Sequence, residues 1–120
     1  MGDTNGMQCD YPDSAWRVTQ AIRRGEADRG ILICGTGIGM AIAANKVEGI
    51  RAALALDELS AQLSRSHNDA NVLCMSADLL GQTLVKRIVD VWMKTAYEGG
   101  RHDRRLAKIS RIERGEDPSA

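Results

Sequence analysis

Apolar and polar positions alternate between two periods along the chain. Ile31-Leu32-Ile33 is a continuous apolar run rich in β-branched residues, the composition of a strand buried on both faces of a parallel sheet, and it ends on Cys34. Gly49 to Leu56 reads as a second strand and Ala70 to Met75 as a third. Between these runs the spacing turns helical. Asp10-Tyr11-Pro12-Asp13 sets an acid and a proline where a helix should start, and Ala15, Trp16, Val18, Ala21 and Ile22 follow up to Gly25. A second helix runs from about Ile38 to Lys46, and a third from Glu58 to Ser66 carries Leu59 and Leu63 on one face. The next is expected to be the longest, its stripe of Leu79, Leu80, Leu84, Val85, Ile88, Val89 and Trp92 reaching about Tyr97 before Glu98-Gly99-Gly100 stops it. A last helix covers Arg101 to about Ile112.

Strands alternating with helices predict a parallel sheet in a three-layer α/β/α sandwich, Rossmann-like in its winding. Residues 1–9 read as a flexible lead, 10–112 as the domain and 113–120 as a solvated tail. Ligands of such sheets bind beyond the carboxyl ends of the strands. That rule places the loop after Cys34, the segment after Leu56 and the segment after Met75 on one edge, with His67 nearby only if its helix ends there.

Composition narrows the possibilities. A chain of 120 residues forms one domain, and 16 Lys+Arg balanced by 16 Asp+Glu argue against binding to nucleic acid or to a membrane surface. Three cysteines without a C-x-x-C pair make neither a disulfide framework nor a zinc site, and a reducing cytoplasm is the simpler setting. Cys9 and Cys74 carry no chemical signal. No stretch approaches the roughly 20 apolar residues of a membrane helix, and the first residues lack the basic and apolar regions of a signal peptide.

The candidate chemistry starts at Cys34. Gly35, Gly37 and Gly39 alternate with Thr36 and Ile38 before Met40 to Ala44 open a helix, so the chain passes from strand to glycine loop to helix N-terminus. Glycines let backbone come close to a ligand, and the unpaired N–H groups of a first helical turn point at anions. The same glycines also serve a tight, purely structural turn. A thiol facing that N-terminus is where a helix dipole favours the thiolate, although most free cysteines are small core residues. His67, beside Asn68 and Asp69, is equally a general acid–base or a surface histidine closing a helix. Arg101 and Arg105, four apart in a cluster with His102 and Arg104, share a helix face and fit a phosphate, or make a solvated face. Asp57, after the second strand, raises dinucleotide binding, but Met40 stands where that fingerprint asks for Gly or Ala.

Longer stretches then carry a resemblance. Asp10-Tyr11-Pro12, Gly30 to Met40, Ile42 to Lys46, Gly49 to Ala52, Ser64 to Leu73 and Tyr97 to His102 closely resemble the ribose-5-phosphate isomerase B family, which includes the galactose-6-phosphate isomerase subunits. The resemblance implies aldose–ketose isomerisation of a small phosphorylated sugar, most simply ribose 5-phosphate, without metal or cofactor. It implies that Cys34 carries a proton between C1 and C2 through a cis-enediolate, with Met40 where other members place a Glu. Gly35, Thr36, Gly37, Ile38 and Gly39 would form the anion hole. His67 would open the sugar ring, Asn68 and Tyr11 would contact the sugar, and Arg101 and Arg105 would hold the phosphate. A homodimer or tetramer, with the arginines supplied across a chain interface, is expected. Relatives begin with a strand, helix and strand of roughly forty residues that this chain lacks, which would leave the Cys34 strand as an unpaired edge. Asp78 stands where many members carry a phosphate-binding Arg. A silent, shortened subunit that binds phosphosugars or pairs with a longer homologue is the alternative reading.

Overall fold

Parallel pairing in the order β1-β3-β2 organises the molecule, described for residues 10–120 by a computed structural model. β1 is Gly30–Cys34, β2 Ala52–Leu54 and β3 Val72–Ser76. Gly30 lies opposite Val72 and Cys34 opposite Ser76, while Ala52 to Leu54 pair with Val72 to Cys74. Helices α1 (Tyr11–Arg23) and α2 (Ile38–Asn45) cover one face, and α3 (Glu58–Ser66) and α4 (Gln82–Lys94) the other. α5 (Arg101–Glu113) follows at the end of the domain. This is the three-layer arrangement expected. The lead at residues 1–9, with Cys9, lies outside the described residues.

Local chemistry accounts for the element boundaries. Pro12 sits in the first turn of α1, where its missing N–H costs nothing. Asp57 caps α3 by accepting from the Ser60 N–H at 2.6 Å. That carboxylate is a helix cap and not a ribose ligand, which removes the dinucleotide reading. The expected strand from Gly49 to Leu56 shrinks to Ala52–Leu54. Gly49 is a turn residue at φ +82°, its N–H held by Glu113, and the Arg51 N–H is held by Asn71 Oδ1. α4 begins later than expected and, at 13 residues, equals α1 and α5 in length. Ser76 Oγ captures the Leu79 N–H at 2.8 Å, so Leu79 and Leu80 form the turn before the helix.

The core has two parts. Ala15, Val18, Leu32, Met40, Ala44 and Val72 pack on one side of the sheet, and Leu73, Met75, Ala61, Ile88 and Trp92 on the other. Ile33 departs from the expectation of a strand buried on both faces, being 48% exposed, because β1 is an edge strand with β3 as its single neighbour. Leu59 and Leu63 of α3 also face outward, as does Trp16 of α1. Small Ala61 and Ala15 supply the close contacts instead. Beside Trp92 lies the buried guanidinium of Arg65, which donates to Ala70 O at 2.7 Å, Asp69 Oδ1 at 2.9 Å and Thr95 O at 3.2 Å. A buried cation so fully bonded ties the end of α3 to the loops around it.

Burial pushes the Cys74 thiol up to about 12 from 9.0, with Cys34 adding a smaller push. The folded chain therefore retains a proton that the unfolded chain releases near 9, so this contribution is complete below that pH and is lost as pH rises from 9 toward 12. In urea titrations at stepped alkaline pH, the wild type should lose stability across this window more steeply than Cys74→Ala. Equal slopes would show that the thiol is not buried in this way.

Candidate active site

β1 delivers Cys34 to the carboxyl edge of the sheet, and the turn after β3 grips the loop that follows. Cys34 O accepts from the Ala77 N–H at 2.8 Å. Gly35 O accepts from the Ser76 hydroxyl at 2.6 Å and from the Asp78 N–H at 3.1 Å. Ser76 is fully buried, so its two hydrogen bonds are undiluted by water. Gly37 then turns at φ +81°, and its N–H donates to Cys34 Sγ at 3.2 Å. A Cβ at Gly37 would lie 2.6 Å from Leu54 Cδ1 and 2.9 Å from the Met75 carbonyl carbon, so only glycine fits. Thr36 Oγ1 accepts from the Ile38 N–H at 3.2 Å, opening α2.

Tyr11 reaches the same place from α1. Its ring lies so close over Gly39 that a Cβ there would stand 2.5 Å from Cε1. Cys34, Gly35, Thr36, Gly37, Ile38, Gly39 and Tyr11 are thus gathered at one edge, as expected. Two of the loop's N–H groups, those of Gly37 and Ile38, already have partners in the thiol and in Thr36. The Asp78 carboxylate stands over Gly35, its Oδ2 3.0 Å from where a Cβ would be. It brings negative charge to the rim of the cradle.

His67 lies elsewhere. α3 starts beyond the carboxyl end of β2 and runs back along the sheet, so the residue that caps it, His67, reaches the edge where β3 begins. A five-residue strand spans roughly 13 Å, and that length of sheet separates His67 from Cys34 within one chain. Asp69, its sequence neighbour, is no partner either, being held by Arg65 at 2.9 Å and Arg51 at 3.5 Å. His67 instead stacks on His102, ring centroids 4.4 Å apart and planes inclined by 21°. His102 is buried, and its Nε2 has no hydrogen bond, with Glu98 Oε2 at 3.5 Å.

Asn68 borders a cleft of about 410 Å³ lined by Asn45, Arg51, Ile109 and Ile112 among others. Arg101 and Arg105 lie four apart on exposed α5, with Arg105 Nη1 donating to Arg101 O at 2.9 Å. Neither forms an ion pair among the described residues, which leaves their charge for an anion. Ser76 and Glu98 complete the picture without standing out in the sequence as site residues, and His102 stands out there only as a member of the arginine cluster. A small polar residue closing an apolar strand was the available signal for Ser76. Glu98 and His102 are split by the break at Gly99-Gly100 and form no helical pair to notice.

Residues 1–109 match the ribose/galactose isomerase family, and the chain belongs to it. It is similar to ribose-5-phosphate isomerase B of Escherichia coli K12, 51% identical over 112 residues that cover 93% of this chain and 75% of that one. It is also similar to the D-erythrulose-4-phosphate isomerase of Pectobacterium atrosepticum, 45% identical over 114 residues covering 95% of this chain and 75% of that relative. Among solved structures, ribose-5-phosphate isomerase B of Clostridium thermocellum superposes with a TM-score of 0.92 at 48% identity, covering 96% of this chain and 78% of that one. The class is that of enzymes that isomerise sugar phosphates.

Two substitutions test the loop. Gly37→Ala forces a Cβ onto the Met75 backbone at a positive φ and should cost about 1–3 kcal/mol in urea unfolding. Ser76→Ala leaves the Leu79 N–H without its acceptor and Gly35 O without the hydroxyl, and should cost a similar amount, about 1–3 kcal/mol. A change within a few tenths for both would show that the clamp does not hold the loop.

Proposed function

We propose that the protein interconverts a phosphorylated aldose and its ketose, with ribose 5-phosphate and ribulose 5-phosphate as the pair to try first, and with Cys34 as the base. The observation that carries this reading is the Gly37 N–H aimed at Cys34 Sγ, with the N-terminus of α2 behind it. Donors fixed in advance around the reacting atoms are the most effective stabilisers of charge in a transition state. The thiolate takes the C2 proton, the C–H electron pair becomes the C1=C2 bond of a cis-enediolate, and the same proton returns to C1. The remaining transfer, from O2 to O1, falls to the Thr36 hydroxyl, which accepts from Ile38 yet keeps its own proton to give. His67 passes a proton to the ring oxygen and takes one from the anomeric hydroxyl to open the ring. Asn68 and Tyr11 contact the sugar.

Since one chain places Cys34 and His67 on opposite edges, the complete site takes its thiolate from one chain and His67, Asn68, Arg101 and Arg105 from a second. Exposed apolar pairs at helical spacing, Ile38 with Ile42 and Leu59 with Leu63, flank β2 and give a dimer, or a tetramer built from it, something to bury. Asp78 keeps the phosphate away from the thiolate and directs it to the arginines. A free, reduced Cys34 fits a cytoplasmic protein.

Incubated with ribose 5-phosphate in heavy water, the protein should exchange the C2 proton by NMR, and Cys34→Ala should not. Substantial exchange by Cys34→Ala would remove the thiol from the mechanism. Mixing Cys34→Ala with His67→Asn, each inactive alone, should restore roughly a quarter of wild-type activity, because half of randomly paired dimers keep one intact site of two. No recovery from chains shown to have exchanged would place both residues in one chain's site.

A further inference from the structure

We infer that His67, Glu98 and His102 form a binding site for a divalent transition-metal ion of the zinc class, and that its occupancy switches the isomerase off. The inhibition rests on the ring-opening role given to His67; the metal site does not.

One ligand atom from each of these residues lies within 4.8 Å of the others. His102 Nε2 is buried without a hydrogen bond, a state that costs a polar atom free energy and that a metal ion relieves. Its distance to Glu98 Oε2, 3.5 Å, is too long for a good hydrogen bond. It is close to the separation of about 3.4 Å between two ligands on a tetrahedral zinc with bonds near 2.1 Å. The site is therefore set for two ligands before any ion arrives.

The third requires a movement. Stacked imidazoles point their nitrogens along nearly parallel planes, so one ion cannot lie in the plane of both rings. His67, half-exposed at the end of α3, is free to turn, whereas buried His102 is not. Exposed Glu98 leaves a path to solvent and a fourth position for water. Two imidazoles and one carboxylate select zinc, cobalt or copper over magnesium and calcium, which prefer oxygen alone. An ion held there occupies the lone pair through which His67 would exchange protons.

Metal-stripped protein titrated with Zn²⁺ against a chromogenic chelator should bind one ion per chain with micromolar affinity and ignore Mg²⁺. Glu98→Gln and His102→Gln should each weaken binding at least about tenfold. Glu98 is exposed, so its variant tests the site even where His102→Gln fails to fold. Cys34→Ala should bind as the wild type does, and Co²⁺-loaded protein should show no sulfur-to-cobalt charge-transfer band. Binding that survives Glu98→Gln but fails in Cys34→Ala would overturn the site and place the ion on the thiolate. Zn²⁺ should also slow isomerisation, with recovery on adding EDTA. Stoichiometric binding at this cluster with undiminished turnover would uphold the site and overturn the role of His67 in ring opening.

Discussion

β3 is flanked on both sides, and the sheet hydrogen bonds run through it. Its five residues are all buried, so a slip of register with β1 or β2 would disturb the packing on both faces of the sheet. This register places Ser76 beside Cys34 and lets one hydroxyl hold the glycine loop and the following turn together. At the other end of the strand, the bonded Arg65–Asp69 pair fixes the loop that presents His67. The Cys34 loop and His67 are thus anchored to the two ends of one central strand.

Much of this was legible in the residues. The apolar run ending on Cys34, the alternating glycines and the proline at the start of α1 each reflect a local demand, and each element appeared where its demand lay. The failures share a cause. Ile33, Leu59, Leu63 and Trp16 are apolar and were expected inside. Periodicity reports which residues prefer burial, and it does not say whether this chain or another provides it. β2 is shorter than its apolar run because Asn71 and Glu113, both remote in sequence, take the N–H groups of Arg51 and Gly49. Leu79 has helical spacing yet lies outside α4 for the same reason, its amide being captured by Ser76.

The candidate site was legible residue by residue and illegible as an arrangement. Sequence proximity joined His67 to Asp69, yet the carboxylate is drawn to two guanidinium groups, whose charge is permanent where an imidazole's is not. Glu98 and His102 meet His67 only through the fold. The direction of α3 decides the larger question, since a helix that leaves the carboxyl edge of a parallel sheet must return to the amino edge. The family's many shared residues, spread along the chain, do not by themselves reveal that geometry.

The hydroxyl that grips Gly35 comes from a residue 41 positions away along the chain. Such a contact forms only after the intervening helices and β2 have found their places, because closing so long a loop is unfavourable until the sheet rewards it. The environment of Cys34 therefore depends on the assembled sheet. A partly folded chain carries an ordinary cysteine at a loose strand end, and only the finished sheet turns it into a held sulfur. The reactivity of this single atom gauges the completeness of the whole fold.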